Sequence, residues 1–367
     1  MNILFTESSP NIGGQELQSL IQMTALKNQG HFVLLACREK SKIAAEAKKL
    51  GIDIIFIPFR NSIHIPSIIK MCRVVRSFNP NIVVCHSGHD SNIVGICRYF
   101  FCRRRFLIVR QKTYITKKTK TFSLNYLCEA IIVPSTAMQT YLKSKNVRTP
   151  ITVVTPGFDF LRLRNDFMQV LPSHILTWLA SAEKVPIITQ VGMLRPEKGH
   201  EFMLHVLHQL KQEGKKFRWL IIGSGDEEIE SNLQLLIKNL GMNDDVLMAG
   251  SLFPALPVYR ISSLVVMPSK SEAFGMVIAE ASAFEVPVFA SNVGGIPDII
   301  QHNVTGTLLP VDDLSAWKEA LNDFLCNPEH FRTMAAKARE DIECRFNINT
   351  IVKNIIKLAE LRVKNTS

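Results

Sequence analysis

The sequence LVVMPSKSEAFGMVIAEA at residues 264–281 contains a strand, a loop and the start of a helix. Leu264–Pro268 is continuously apolar, which is typical of a strand covered on both faces of a parallel sheet. Residues 269–273 form a polar loop that carries Glu272, and a helix is predicted to begin near Phe274 and Gly275. A strand that leads through a short loop into a helix indicates a unit of an α/β sheet.

The same alternation of strand and helix continues to both ends of the chain. The predicted strands are Asn2–Thr6, His31–Cys37, Asp53–Pro58, Ile82–His86, Phe106–Arg110, Ala130–Pro134, Ile151–Thr155, Pro186–Gly192, Trp219–Gly223, Val246–Ala249, Leu264–Pro268, Pro287–Ala290 and Gly306–Leu309. Amphipathic segments such as Gln15–Gln29 and His200–Glu213 lie between them. This pattern predicts parallel sheets with helices on both faces.

The chain has 367 residues, too many for a single sheet core, so we predict two domains. The first covers 1–165, the second covers 166–348, and residues 349–367 form a last helix that packs back on the first domain. Asn349 is the predicted N-cap of that helix. The fold class is α/β, with two doubly wound Rossmann-like domains that face a central cleft.

Charge is unevenly distributed along the sequence. The net charge of +11 comprises +15 in residues 1–170 and −4 in the remainder. Such a basic half fits nucleic acid, an anionic membrane surface or a phosphorylated substrate. A membrane span is excluded, because no apolar stretch approaches the ~18 uncharged residues that one needs. No signal peptide is expected, because the first residues lack a basic leader and fit a buried strand.

The cysteine and histidine patterns indicate a reduced protein without a metal. There are 8 cysteines and no Cys-x-x-Cys pair, which favours free thiols in the cytosol. His86, His89 and Asp90, and separately His205 and His208, have spacings that also occur in metal sites, but the second pair lacks a third ligand nearby in the sequence. We therefore predict that no metal is bound.

Ligands of doubly wound sheets bind beyond the carboxyl ends of the strands, and two such positions carry glycine. Gly13 and Gly14 follow the first strand, where they form either a tight turn or a close approach to an anionic ligand. After Gly192, Arg195 and Lys198 stand at the start of a helix. An arginine fork together with a lysine suits a diphosphate, whereas in isolation they also fit a solvated helix end.

The opening segment places two carboxylates about two helical turns apart. Glu272 lies in the loop, and Glu280 lies among apolar residues of the helix. A buried carboxylate needs partners, and the hydroxyl groups of a ribose would supply them.

These segments together resemble the signature of retaining GT-B glycosyltransferases of family 4. The resemblance covers nearly the whole chain and rests on Gly192–Gly199, Gly223–Gly225, Glu272–Glu280, Pro287–Asp298 and Gly306–Leu309. The chain departs from the pattern at Glu285, where glycine is usual, at Asp298, where glutamate is usual, and after Gly250, where an arginine is often found.

The resemblance implies a role for each matching residue. Arg195 and Lys198 match the pair that neutralises the donor diphosphate. Glu272 matches the carboxylate that contacts the hydroxyl groups of the donor sugar, and Glu280 matches the carboxylate that holds the nucleotide ribose. The other implied donor-site residues are Gly13, Gly14, Gly192, Gly223, Gly250, Ser251, Leu252, Phe274, Gly275, Met276 and Val277.

The amino-terminal half matches the family less closely. Arg110 corresponds to an arginine at the end of a strand in lipopolysaccharide-type members, whereas Thr113 replaces the histidine of that motif. His86 and Arg110 are candidates for contact with the acceptor or the donor sugar, and a hydrogen-bonded loop histidine is an equal reading of His86.

Residues 98–120 contain nine Lys or Arg, no acidic residue and the aromatics Tyr99, Phe100, Phe101, Phe106 and Tyr114. This composition suits an anionic membrane surface or single-stranded nucleic acid, or else a buried strand at Phe106 flanked by exposed cations. We favour an anionic membrane surface or lipid-linked acceptor over nucleic acid, because the resemblance to a glycosyltransferase donor site is compatible with such an acceptor.

The predicted function is therefore retaining transfer of a sugar from a UDP-, GDP- or ADP-sugar to a saccharide or lipid-linked acceptor. The predicted context is bacterial lipopolysaccharide or capsule biosynthesis at the cytoplasmic face of the inner membrane, without nucleic acid and without a metal or other cofactor. A nucleotide-sugar epimerase and a non-enzymatic nucleic-acid-binding protein are the alternatives.

Overall fold

The computed structural model describes residues 1–102, 106–114, 121–181 and 184–366. The chain divides into two compact units. The first unit comprises Met1–Phe158 together with the carboxyl-terminal residues from Phe346 onward, and the second unit comprises Asp159–Arg345.

The first unit is built on a parallel sheet with seven described strands in the order β3-β2-β1-β4-β5-β6-β7. Their bounds are β1 Asn2–Glu7, β2 Phe32–Cys37, β3 Asp53–Phe56, β4 Ile82–Cys85, β5 Leu107–Gln111, β6 Ala130–Val133 and β7 Ile151–Val153. In the central pairs, Thr6 lies opposite Ala36 on one side and Cys85 on the other. The strand order reverses direction at β1 and β4, where ligand crevices form in doubly wound sheets.

Helices cover this sheet. Their bounds are α1 Gly14–Asn28, α2 Lys42–Lys49, α3 Ile65–Phe78, α4 Gly88–Ile96, α5 Thr121–Tyr126 and α6 Thr136–Ser144, with a π-helix at Cys97–Cys102. The core beneath them joins strand residues such as Phe5 and Val84 to Met23 and Leu26 of α1. Full burial of such side chains contributes about 1.5–3 kcal/mol each.

The second unit repeats the plan on a parallel sheet with six described strands in the order β10-β9-β8-β11-β12-β13. These are β8 Ile187–Val191, β9 Arg218–Ile222, β10 Val246–Met248, β11 Leu264–Met267, β12 Val288–Ser291 and β13 Thr307–Leu309. The helices are α7 Phe160–Phe167, α8 Ser173–Ala180, α9 His200–Gln212, α10 Glu227–Asn239, α11 Met276–Ala283, α12 Leu314–Cys326 and α13 Pro328–Arg345. Every predicted strand is present, with ends that differ by at most two residues, so the predicted α/β class is confirmed.

The division between the units falls before α7, whereas the sequence placed it at 165/166. The aromatic ring of Phe167 stacks on Phe284 of the second unit, with ring centroids 4.0 Å apart. The guanidinium of Arg260 donates hydrogen bonds to the carbonyl oxygens of Met168 and Gln169 at 3.2 and 2.7 Å. These contacts attach α7 to the second unit.

The last helix, α14 Ile348–Thr366, completes the first unit. Ile348, Ile351, Val352 and Ile355 contribute to the same core as the first sheet. The predicted N-cap at Asn349 is wrong, because that residue lies inside the helix. Asn347 takes the role instead, since its side-chain oxygen accepts a hydrogen bond from the Asn349 amide at 3.0 Å.

Glu285 occupies the position where the family usually has glycine, and its backbone explains that preference. Its φ of +56° lies in the left-handed region, which costs a residue with a side chain roughly 1 kcal/mol. The carboxylate forms an ion pair with Arg339 at 2.8 Å, a half-exposed contact worth about 0–1 kcal/mol. The ion pair thus offsets part of the backbone strain.

Within the described residues, no helix combines the length and the apolarity that crossing a membrane would require.

Candidate active site

A lysine and a carboxylate meet beyond the carboxyl ends of two adjacent central strands of the second unit. The Lys198 ammonium donates a hydrogen bond to the Glu272 carboxylate over 2.6 Å. Lys198 follows β8 and Glu272 follows β11, and these strands are paired in the sheet. The two side chains are 25% and 16% exposed, so this ion pair is largely shielded and still accessible to a ligand.

Backbone contacts hold both partners in place. The side-chain amide of Gln190 donates to the Lys198 carbonyl oxygen at 2.9 Å. The Gly295 amide donates to the Glu272 carbonyl oxygen at 3.1 Å. Gly294 has a φ of +58°, and a Cβ at this position would lie only 1.8 Å from that same oxygen. The loop that carries Glu272 therefore depends on a residue without a side chain at 294.

Arg195 is the more exposed of the two predicted cations. It precedes a short 3₁₀ turn, Pro196–Lys198, and its side chain is 54% exposed, with Glu197 3.8 Å away. The helix start that the sequence predicts at Arg195 and Lys198 is interrupted by Gly199 in the left-handed region, and α9 begins only at His200. This break separates the cations from the regular helix.

The predicted glycines of the neighbouring loops lie against one another. The Gly223 amide donates to the Gly250 carbonyl oxygen at 2.9 Å, and a Cβ on Gly223 would lie 1.8 Å from the Gly192 oxygen. The hydroxyls of Ser224 and Ser251 are 2.6 Å apart. These contacts bring the ends of β8, β9 and β10 together, and Leu252 continues the same segment as a half-buried residue.

The start of α11 lies where the sequence places it. Phe274 is buried, Gly275 has a φ of +115° as the N-cap, and Met276 and Val277 are half-buried in the first turn. The first turn of a helix has amide groups without intrahelical acceptors, which favours an anion or a hydroxyl-rich ligand.

Glu280, about one turn after the start of α11, has a partner that the sequence did not reveal. The buried Tyr259 donates its hydroxyl to the Glu280 carboxylate over 3.2 Å. Burial raises the pKa of Glu280 to about 7, and the hydrogen bond from Tyr259 opposes this shift. The carboxylate is thus held in place in an environment that favours additional hydrogen-bond donors.

His86 in the first unit is 1% exposed and has a partner on each ring nitrogen. Burial lowers its pKa, so the ring is neutral at pH 7. Its Nδ1 donates to the Thr6 carbonyl oxygen at 3.0 Å, which leaves Nε2, 2.9 Å from the Ser19 hydroxyl, as an acceptor. His86 therefore ties β1, the end of β4 and α1 together.

Arg110 is also buried and lies 3.4 Å from the Asp90 carboxylate. That carboxylate further accepts hydrogen bonds from the Ser87 amide and the Thr6 hydroxyl, at 2.9 and 3.0 Å. Sequence reasoning did not select Asp90 as a partner of Arg110. The spacing Ser87-x-x-Asp90, a capping box at the start of α4, was an available signal for its structural role.

Gly13 and Gly14 lie at the amino-terminal end of α1. The Gly13 amide donates to the Glu16 carboxylate at 2.8 Å, and the Gly13 backbone is extended. A Cβ at Gly14 would have no atom within 4 Å. Among the residues that the structure describes, the packing thus leaves the space beside Gly14 open.

No three His, Cys, Asp or Glu side chains converge on a possible metal position in the part of the chain that the structure describes. Arg103–Arg105 and Lys117, Lys118 and Lys120, which the membrane prediction invoked, lie outside the described residues. Phe106 is buried, whereas Tyr99, Phe100 and Phe101 are at least half exposed.

Parallel sheets with glycine-rich loops at the carboxyl ends of their strands, and an accessible lysine–carboxylate pair at that edge, are typical of ligand-binding α/β proteins. Residues 178–341 match the family model for glycosyl transferases group 1, and residues 12–161 match the model for Glycosyltransferase Family 4. The chain belongs to the group 1, family 4 type of glycosyltransferases.

A curated relative is the D-inositol 3-phosphate glycosyltransferase of Nocardia farcinica. It is 31% identical over 203 residues, which are 52% of this chain and 43% of the relative. The match thus spans less than half the length of this relative.

Solved structures extend the likeness over the whole fold. The crystal structure of Anabaena HepE in complex with UDP has a TM-score of 0.83 at 20% identity, and the alignment covers 98% of this chain and 100% of that one. The apo lipopolysaccharide outer core galactosyltransferase WaaB has a TM-score of 0.75 at 17% identity, over 99% of each chain. This likeness confirms the GT-B fold.

Replacing Gly294 by alanine should displace the Glu272 loop. The new Cβ would collide with the Glu272 backbone, so we expect Gly294→Ala to cost about 3 kcal/mol or more of unfolding free energy. Gly241 is a matched control, because its φ is +65° and a Cβ there has no atom within 4 Å. Gly241→Ala should cost only about 1 kcal/mol. Urea denaturation of both variants measures the difference, and equal costs would contradict the collision.

The raised pKa of Glu280 predicts a pH dependence of stability. Between pH 4.5 and about 7 the unfolded chain releases this proton while the folded chain retains it, so the stability contributed by Glu280 is lost as the pH rises. Glu280→Gln does not titrate. Relative to this variant, the wild type should lose unfolding free energy from pH 4.5 to 7, measured by denaturation at several pH values. A constant difference would show that Glu280 titrates normally.

Proposed function

We propose that this protein transfers a sugar from a nucleotide-diphosphate sugar to a saccharide or lipid-linked acceptor, with retention of anomeric configuration. The proposed product is a lipopolysaccharide or another surface polysaccharide of a bacterium. The main support is the accessible Lys198–Glu272 pair beyond the central strands of the second unit, with Arg195 close by in the sequence.

Lys198 and Arg195 have the charge and position to neutralise the donor diphosphate. A ligand phosphate would compete with Glu272 for the Lys198 ammonium and release that carboxylate to accept hydrogen bonds from sugar hydroxyls. Because the two side chains already supply positive charge to the leaving group, we propose that no metal ion or other cofactor is required.

Glu280 is the proposed anchor of the ribose. Its carboxylate is held by Tyr259, and the neighbouring glycine segments at Gly192, Gly223 and Gly250 allow a ligand close to the backbone. Gly250, Ser251 and Leu252 would border the base. The UDP that HepE binds in its crystal structure is consistent with this proposal.

Retention would proceed by substitution on one face of the sugar. The acceptor hydroxyl oxygen forms a bond to the anomeric carbon while the bond to the diphosphate oxygen breaks, and the hydroxyl proton passes to the departing phosphate oxygen. Lys198 and Arg195 would stabilise the charge that develops on this leaving group. No separate base is needed in this scheme.

The residues of the first unit divide into two proposed roles. The open space beside Gly14 suits close approach of the ligand to the backbone. His86 and Arg110 are buried and bonded to Thr6, Ser19 and Asp90, so we propose that they position the strand ends that line the site.

Two similar proteins indicate two candidate classes of acceptor. WaaB, a lipopolysaccharide outer core galactosyltransferase, shares the fold. The Nocardia relative acts, by its name, on D-inositol 3-phosphate, so a phosphorylated small-molecule acceptor is the second candidate.

We further propose peripheral association with the cytoplasmic face of the inner membrane. Phe100 on the π-helix is 75% exposed and Phe122 on α5 is 69% exposed. These aromatic side chains flank basic segments in the sequence, a combination that binds anionic lipid headgroups.

Lys198→Ala should weaken nucleotide binding. Removal of the ammonium should lower the affinity for UDP, GDP or ADP at least about tenfold and turnover by about 10²–10³. Lys318→Ala is the matched control, because Lys318 forms a comparable ion pair with Glu213 over 2.8 Å on the helical surface. Titration calorimetry measures the affinities. The proposal fails if the wild type binds none of the three nucleotides or if Lys198→Ala binds them unchanged.

The membrane proposal predicts a loss of vesicle binding on removal of the exposed aromatics. The double variant Phe100→Ser/Phe122→Ser should bind phosphatidylglycerol vesicles at least about tenfold more weakly, because two partly inserted rings are lost. Met168→Ser/Val170→Ser, also exposed apolar positions but in the second unit, is the control. Co-sedimentation measures the bound fraction, and equal binding by both variants would refute an aromatic anchor.

A further inference from the structure

Two buried cysteines of the first unit lie in direct contact. Cys72 belongs to α3, and Cys97 is the first residue of the π-helix that follows α4. Their sulfur atoms are 2.9 Å apart, so that one thiol donates a hydrogen bond to the other. Cys72 is 7% exposed, and Cys97 is fully buried. Neither residue has a role in the proposed transfer reaction.

The contact brings the two sulfur atoms close to bonding distance. A disulfide bond is ~2.05 Å long, so about 0.9 Å of further approach would complete one. The two cysteines are 25 residues apart in the sequence, and the elements that carry them already pack against each other. Formation of the bond therefore requires only a local adjustment.

A second contact ties the far end of the π-helix to α3. The guanidinium of Arg76 donates a hydrogen bond to the Phe101 carbonyl oxygen at 3.1 Å. Arg76 lies four residues after Cys72, so both residues are on the same face of α3. The exposed ring of Phe100 lies between the two contacts in the sequence. A bond between Cys72 and Cys97 would fix the start of this aromatic segment.

Other cysteines of the chain have different surroundings. The thiol of Cys128 donates to the Leu124 carbonyl oxygen at 3.1 Å. Burial raises the pKa of the Cys85 thiol well above its usual value, which reduces the reactive thiolate. Cys326 and Cys344 are exposed in the second unit. These thiols provide comparisons for a pair whose members contact each other.

We propose that Cys72 and Cys97 form a reversible disulfide when hydrogen peroxide oxidises the protein, and that this bond restrains the π-helix against α3. The more exposed Cys72 sulfur attacks one peroxide oxygen, the O–O bond breaks, and a sulfenic acid and water result. The Cys97 sulfur then attacks the Cys72 sulfur. The S–S bond forms, the S–O bond breaks, and the hydroxyl leaves as water with the Cys97 proton. Two thiols are oxidised, and one peroxide is reduced to two water molecules.

Such a site is compatible with the reducing compartment that the cysteine pattern favours. Disulfides in such compartments are usually transient and respond to an oxidant. A small dithiol returns the pair to its thiol state by exchange. This modification site is independent of the proposed sugar transfer, because it involves none of the proposed donor-site residues.

Thiol counting on the full chain tests the proposal. Cys326→Ser/Cys344→Ser removes two exposed thiols and leaves six of the 8 cysteines. After treatment with hydrogen peroxide, this double variant should lose two of its six thiols, counted after unfolding, and dithiothreitol should restore both. Tandem mass spectrometry of non-reduced fragments should join Cys72 to Cys97, with the loss of two hydrogen atoms.

Two further substitutions in this double variant are matched, since each removes one buried thiol of the first unit. Cys72→Ala should keep all of its thiols after peroxide treatment, whereas Cys128→Ala should again lose two. Cys97→Ala should behave like Cys72→Ala and replaces it if the latter does not fold. No loss of thiols from the double variant, or a crosslink that joins any other two cysteines, would overturn the assignment.

Chymotrypsin cleavage after Tyr99, Phe100 or Phe101 tests the restraint on the π-helix. These side chains are exposed, and a restrained backbone opens less often to a protease. Peroxide should slow cleavage of the double variant at least about threefold and leave that of its Cys72→Ala derivative unchanged. Equal slowing in both proteins, or none in the crosslinked one, would overturn the restraint.

Discussion

Parallel pairing is the constraint on which both units depend. In each sheet every recorded strand pair is parallel, so all carboxyl ends lie along one edge, and the chain must leave that edge through a loop before a helix returns it. The loops therefore crowd together. At this edge of the second unit, Gly223 lies against Gly192, Gly199 against Pro268 and Gly294 against Glu272, at distances that leave no room for a Cβ. The same crowding brings Lys198 to Glu272.

The ion pairs at the two sheet edges differ in how accessible they are to a ligand. In the second unit the central ion pair is partly accessible, which the proposed exchange of a ligand phosphate with Glu272 on Lys198 requires. In the first unit, Arg110 is buried against Asp90, and a ligand would have to break that pair at a cost of several kcal/mol. This contrast supports the proposal that Arg110 positions the strand ends of the first unit.

Much of the fold can be predicted from the local sequence, whereas the contacts between side chains within the site cannot. Strands buried on both faces are continuous apolar runs, so Ile82–Cys85 and Leu264–Met267 were identifiable within a residue or two. Arg195, Lys198 and Glu272 were selected by their positions at predicted strand ends and by the resemblance to a family signature. Tyr259 could not be assigned to Glu280, because the contact depends on how a 3₁₀ turn packs against α11. The boundary before α7 was missed for a similar reason, since aromatic contacts distant in sequence decide it.

Net charge alone does not distinguish the cations of the basic half. Arg110 counts as +1 in the sequence, yet Asp90 neutralises it in the fold. Lys112 also counts as +1, yet its ammonium lies 5.2 Å from the centroid of the Tyr114 ring and burial lowers its pKa to about 8. The excess of +15 in residues 1–170 therefore combines cations that the fold neutralises, such as Arg110, with cations that it leaves exposed, such as Lys143.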